Sequence, residues 1–174
     1  MPGPERRSCP GRCPPAPPRE PKAVRTVPTT LPTGVDHLNA LPSTAPRSGG
    51  CLCRRIQFTV SGPPDYPHTC SCQHCQELSG GPMMAWVSFP LNSLKWTGDG
   101  GEPAWHYTWP DSRRGFCPRC GSQLCALDDG ATSIAVTLSA LGNPADLAPV
   151  NQSYRDTAVP WLPQVPDTRH HHPA

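Results

Sequence analysis

The sequence predicts a small, mainly β domain, a folded sheet lying between a long Pro-rich N-terminal arm and a short C-terminal tail. Three observations carry that expectation. Apolar residues alternate with polar ones in several short runs, turn-forming Gly, Pro, Asn and Asp separate those runs, and 26 of the 174 residues are proline. So much proline, together with a negative mean hydropathy, excludes packing along the whole length, and one domain with tails is the organisation expected at this size.

From Met1 to about Arg47 the chain consists mostly of Pro, Arg, Thr, Ser and Ala, including Pro14-Pro15-Ala16-Pro17-Pro18. Residues 1–47 are therefore expected to form a disordered, polyproline-like extension, because so little apolar surface cannot offset the entropy of ordering. Order should begin at Ser48-Gly49-Gly50. Ile56 to Val60 alternates as a half-buried strand does, and Ser61 to Asp65 breaks it. Met83 to Phe89 is a second strand, rich in β-favouring side chains and closed by Pro90.

Leu94 to Thr97, Ala104 to Trp109 and Arg113 to Phe116 read as short strands between turn signals, and Ser133 to Leu138 puts Ile134, Val136 and Leu138 on one face of another. Helix is expected only briefly, just after Cys75 and over Ala145 to Leu147. Beyond Trp161-Leu162 the chain returns to Pro, charge and His, so residues 163–174 form a disordered tail and residues 48–162 the foldable unit. A unit of that size supports one modest core and gains from metal.

A formal charge of +2 and a pI near 8.1 are too mild to point to nucleic acid or an anionic membrane as partner. No run approaches ~18 apolar residues, and Met-Pro-Gly-Pro-Glu-Arg-Arg is no export signal. The protein is expected to be soluble and cytoplasmic. In a reducing compartment, ten cysteines in close spacings mean metal ligation rather than disulfides.

Cys51-Leu52-Cys53 precedes a strand and Cys117-Pro118-Arg119-Cys120 follows one. Two such pairs brought together offer the four thiolates of a closed, tetrahedral structural zinc site. Gly121, just after the second knuckle, supplies a backbone conformation that a side chain would oppose. Cys70, Cys72 and Cys75 differ, having no fourth partner of matching spacing. Three protein ligands and one exchangeable position is how catalytic zinc is held, and a thiol arriving there would bind as thiolate. The alternative is a second structural site completed by His68 or His74.

Cys125, in the apolar run from Gln123 to Leu127, reads as a small core residue. Cys9 and Cys13 in the arm, and His170, His171 and His172 in the tail, are unanchored. Trp86, Trp96, Trp105, Trp109 and Trp161 are expected in core packing or covering a sheet face, with stacking on a small substrate as the alternative. Arg113-Arg114 reads as a solvated strand pair, or else as a bidentate site for a substrate carboxylate. His74 and Glu77 are expected at the surface and receive no role as acid or base.

Gly49-Gly50-Cys51-Leu52-Cys53, then Cys70-Ser71-Cys72-Gln73-His74-Cys75-Gln76-Glu77-Leu78-Ser79-Gly80, then Arg114-Gly115-Phe116-Cys117-Pro118-Arg119-Cys120-Gly121-Ser122 form a joint pattern. It resembles the glutathione-dependent formaldehyde-activating enzyme family, which includes centromere protein V, from about Gly49 to Leu162. The resemblance implies a β-tent, a structural zinc on Cys51, Cys53, Cys117 and Cys120, a labile zinc on Cys70, Cys72 and Cys75, and carbon-sulfur lyase activity on glutathione adducts. This chain departs from the pattern at Leu141-Gly142-Asn143-Pro144, where many members have Leu-Asp-Asp-Pro, and near Asn151 or Gln152, where a histidine is usual.

The sequence thus points to two Zn2+ per chain and to an enzyme acting on a small-molecule thiol adduct such as S-hydroxymethylglutathione, the substrate sulfur binding at the open position. The alternative is a non-catalytic two-zinc interaction module.

Overall fold

The computed structural model describes residues 43–168, which fall within one compact unit, Val35–Ala174. The expectations for residues 1–42 and 169–174, including Cys9, Cys13 and the three tail histidines, lie outside the described residues.

The described chain is mainly β, as expected. Its strands are β1 (Arg47–Gly50), β2 (Gln57–Val60), β3 (Asp65–Cys70), β4 (Met84–Pro90), β5 (Lys95–Trp96), β6 (Ala104–Trp109), β7 (Ser112–Phe116), β8 (Gln123–Asp128), β9 (Ser133–Thr137) and β10 (Gln152–Ser153), with one helix, α1 (Gln73–Ser79). β1, β2 and β5 form a small sheet in the order β1-β2-β5; the others form a seven-stranded sheet ordered β10-β3-β4-β9-β8-β7-β6. Only the two-residue β10 runs parallel to its neighbour, β3.

Pairing register gives the large sheet two different faces. Val87, Val136 and Cys125 stand opposite one another across β4, β9 and β8, and the next row along is Ser88, Ala135, Ala126 and Arg114. Because successive side chains point to opposite faces, the first row faces one side and the second the other. The first face packs with Phe58 and Val60 of the small sheet, plus Ile56, Phe89, Leu124, Ile134 and Leu147, into the main core. Burying each of these large side chains contributes about 1.5–3 kcal/mol. The second face carries a smaller cluster of Cys70, Cys75, Met84, Trp86 and Ala126.

Several local expectations are corrected. Asp65 opens β3 instead of ending a turn; Pro67, which donates no ladder bond, sits where the register of β3 on β4 shifts between Asp65 and His68. Residues 145–147 are not helical: the Leu147 N–H bonds the Pro144 carbonyl at 2.9 Å in a single turn. Val165 N–H donates to Gln152 Oε1 at 2.9 Å and Thr168 N–H to the Val150 carbonyl at 2.9 Å. At the other end, the Arg47 guanidinium grips Asp146 at 2.6 Å.

Candidate metal centres

The first cysteine set is assembled by strand ends. Cys51 and Cys53 lie in the turn between β1 and β2, Cys117 and Cys120 in the turn after β7, and their four sulfurs lie within 4.8 Å of one another. Cys51 Sγ is 3.5 Å from Cys53 Sγ, which is 3.8 Å from Cys117 Sγ. A tetrahedron with zinc–sulfur bonds of about 2.3 Å has edges of about 3.8 Å, so the spacing fits that ion.

Backbone bonds shape both turns. Cys51 N–H donates to the Ile56 carbonyl, Cys117 N–H to the Ser122 carbonyl, and Gly121 N–H to the Cys117 carbonyl, at 2.8–2.9 Å. Gly121 has φ +75°, the left-handed conformation the knuckle was expected to need. The Leu52 N–H donates to Ser122 Oγ at 3.0 Å, which ties the two turns to each other.

The donor chemistry also fits a cation. Burial pushes the Cys117 thiol up to about 12. Burial acts the same way on Cys120, but the Ser122 hydroxyl, 3.3 Å from its sulfur, and nearby amides outweigh it and hold that thiol down at about 6. Sulfurs this close and this dry carry four negative charges only with a cation among them.

The second set, Cys70, Cys72 and Cys75, also has its sulfurs within 4.8 Å of one another. Cys70 ends β3, and the other two flank the start of α1. Cys72 is the N-cap, its sulfur accepting the Cys75 N–H at 3.5 Å. A thiol bond from Cys75 holds Cys70 down to about 5 and pushes Cys75 up. The triad thus shares protons as a set that a cation would replace, and it too fits zinc, with three donors.

Neither histidine completes this set. His68 Nδ1 is 2.9 Å from the Tyr66 carbonyl, its ring stacks on Tyr66, and His74 lies edge-on to Trp109 at 4.6 Å. His74 Nδ1 is buried without a hydrogen-bond partner among the described residues. Glu77 is exposed and accepts from Gln73 Nε2 at 2.8 Å.

The loop carrying the triad is braced from the C-terminal segment. Gln152 Nε2 donates to Ser71 Oγ at 2.9 Å, Thr157 Oγ1 to the Ser71 carbonyl at 2.9 Å, and Gln76 Nε2 to the same carbonyl at 2.9 Å. The polar groups at Asn151 and Gln152, where the resembled pattern has a histidine, are buried and engaged in holding this loop and the segment ending at Thr168.

Beside the triad, on the second face of the large sheet, lies a cavity of about 230 Å³. Cys70 and Cys75 line one side and Arg114, Ser112 and Asp128 another, with His68 and Trp86 also in its wall. The signal for this cavity was absent from any one stretch of sequence, since its wall comes from five strands.

Two expectations change here. Arg113 and Arg114 are half-buried, not solvated: Arg113 lies 4.6 Å over the Trp105 ring and Arg114 4.9 Å over Trp86. The tryptophans divide, with Trp86 3% exposed and Trp96 edge-on to Phe58, but Trp109 54% and Trp161 72% exposed. Cys125 is fully buried in the main core, as expected.

No helix among the described residues is long and apolar enough to cross a membrane. Among curated proteins none matches the chain. A crystal structure of a Rhodobacter sphaeroides protein superimposes with a TM-score of 0.49 at 17% identity, covering 61% of this chain and 99% of that one. Residues 46–157, more than half of the chain, match the family described as Glutathione-dependent formaldehyde-activating enzyme. With both cysteine sets of the pattern inside that span, the chain belongs to the glutathione-dependent formaldehyde-activating enzyme family.

Proposed function

We propose that the protein is a zinc-dependent carbon-sulfur lyase acting on a thiol adduct such as S-hydroxymethylglutathione. In that reaction the bond between sulfur and the hydroxymethyl carbon breaks, the hydroxyl proton leaves, and formaldehyde and the free thiol result. Family membership supports the glutathione and formaldehyde chemistry. The observation that carries the reading is the contrast between four sulfurs that close one set and three that leave the other one donor short beside a cavity.

Cys51, Cys53, Cys117 and Cys120 would hold a structural zinc, and Cys70, Cys72 and Cys75 a second zinc with one position for the substrate sulfur. Bound there, zinc supplies Lewis-acid stabilisation of a thiolate at neutral pH. The chain's own groups orient the adduct. Because a carbonyl only accepts, His68 donates from Nδ1 to the Tyr66 carbonyl, and in the neutral ring Nε2 then has a lone pair for a hydrogen bond from the adduct's hydroxyl. Trp86 and Met84 give the triad an apolar flank that keeps water away. A cytoplasmic location, where thiols stay reduced, belongs to the same proposal.

Exchange between free thiol, aldehyde and hemithioacetal, followed by NMR, tests it. Wild type should accelerate exchange and Cys72→Ser should abolish the acceleration. Serine keeps an oxygen at the N-cap, so the helix start survives the change. Equal, uncatalysed rates for both proteins would defeat the lyase reading and leave a non-catalytic two-zinc module.

A further inference from the structure

The cavity beside the triad contains more than a place for sulfur. Its floor is built from small residues in adjacent strands: Ser88 of β4, Ala135 of β9 and Ala126 of β8 stand side by side in register, where larger side chains would fill the space. At the end of that row is Arg114 of β7, opposite Ala126. These small residues help leave open the cavity that Cys70, Cys75 and Arg114 all line.

Arg114 is held ready for a ligand. Its guanidinium lies over the Trp86 ring, which fixes the plane of the fork, and its Nε–H is buried with no hydrogen-bond partner. Among the described residues the Arg114 side chain makes no hydrogen bond or ion pair. Arg113, pointing to the opposite face of the strand, covers Trp105 instead and does not line the cavity. A half-buried guanidinium whose Nε–H is buried and unpaired has donors to offer an anion, and a carboxylate matches its two parallel donors.

Size limits what the anion is attached to. A cavity of about 230 Å³ is smaller than the ~300–1,000 Å³ that encloses drug-sized ligands. Besides Cys70 and Cys75, the other charged or titratable side chains in its wall are His68 and Asp128; Asp128 is exposed, beside Ser112, and favours a ligand whose negative charge stays at Arg114.

We propose that Arg114 is the carboxylate-recognising residue of this cavity, which takes a compact thiol of about one amino-acid residue in size: sulfur toward Cys70, Cys72 and Cys75, carboxylate on the Arg114 guanidinium. This rests on the open-position reading of the triad. A thiol of that size matches the cavity's volume, whereas a tripeptide thiol would extend beyond it.

The test is calorimetric binding to the full-length, zinc-loaded protein, which needs no turnover. The probes are 3-mercaptopropionate and its neutral analogue 3-mercapto-1-propanol. Wild type should bind the acid about tenfold more tightly, the scale of a charge-assisted bidentate contact. Arg114→Gln should erase that preference while still binding the alcohol, and Arg114→Lys should retain only part of it, since a point charge lacks the fork. Both variants should keep two zinc ions and a cooperative melt.

Equal affinity of wild type for the two probes overturns the assignment and leaves the open position intact, and so does a preference that survives Arg114→Gln. The wild-type comparison stands whether or not either variant folds. Failure of both probes to bind the two-zinc protein overturns the assignment together with the open position. An affinity for glutathione about tenfold above that for 3-mercaptopropionate overturns the one-residue size.

Discussion

Replacing Cys117 by serine should come close to unfolding the domain, and its cost follows from where the sulfur sits. Cys117 is fully buried between the turn after β7 and the main core, 3.8 Å from Cys53 Sγ. A closed zinc site contributes about 10–16 kcal/mol to a small metallodomain, so one of four ligands carries about 2.5–4 kcal/mol. The hydroxyl left behind is buried without the cation it faced, adding about 1–3 kcal/mol. Together these approach the about 5–15 kcal/mol by which domains are stable at all. Cys75→Ser removes a sulfur that is just as buried, but it leaves the closed set whole and should cost no more than about 3 kcal/mol. Circular dichroism melts of the two purified variants, with zinc counted in each, separate these outcomes. A Cys117→Ser protein melting within a few degrees of wild type, or a Cys75→Ser protein that fails to fold, would refute the division of labour between the sets.

Three further outcomes follow. Gly115→Ala puts a methyl group 2.5 Å from Cys125 Sγ and 2.9 Å from Pro103 Cγ, an overpacking that should cost about 1–3 kcal/mol in urea unfolding. Ile134→Ala, at a fully buried position of β9, should lose about 2–5 kcal/mol in the same assay. The third concerns pH. A hydrogen bond from Arg47 holds the Asp146 carboxylate down at about 2, below its unfolded value near 3.9. A depressed carboxylate stabilises above the unfolded value and loses that contribution as pH falls from about 4 towards 2. The carboxylate is more than a third exposed, so the gain is at most about 1 kcal/mol. The stability difference between wild type and Asp146→Asn, measured by urea titration, should shrink across that window.

Strands with alternation were legible in the sequence, β2 by Phe58 and Val60 and β9 by Ile134 and Val136, and β4 was legible by its β-favouring side chains, with Trp86 and Val87 buried on its two faces. β3 was not, because Ser61 to Asp65 reads as a breaker, while the sheet takes in Asp65 and accommodates Pro67 at a register shift. β1 has no apolar alternation in Arg47-Ser48-Gly49-Gly50, and β10 is two residues held by tertiary contacts. The two cysteine sets were legible because ligand spacing is short-range, set by single turns. The cavity was not, because Ser88, Ala126, Ala135 and Arg114 are brought together by the register of four strands. The aromatic contacts of Arg113 and Arg114 were hidden for the same reason.

The central claim is that one cysteine set is closed and the other open, and zinc release to a chelator measures it most directly. Two zinc ions per chain are predicted, one surrendered quickly and the other only as the protein unfolds, with added thiol slowing the fast phase by occupying the fourth position. Two equally inert ions, or a fast phase that thiol leaves unchanged, would contradict the account.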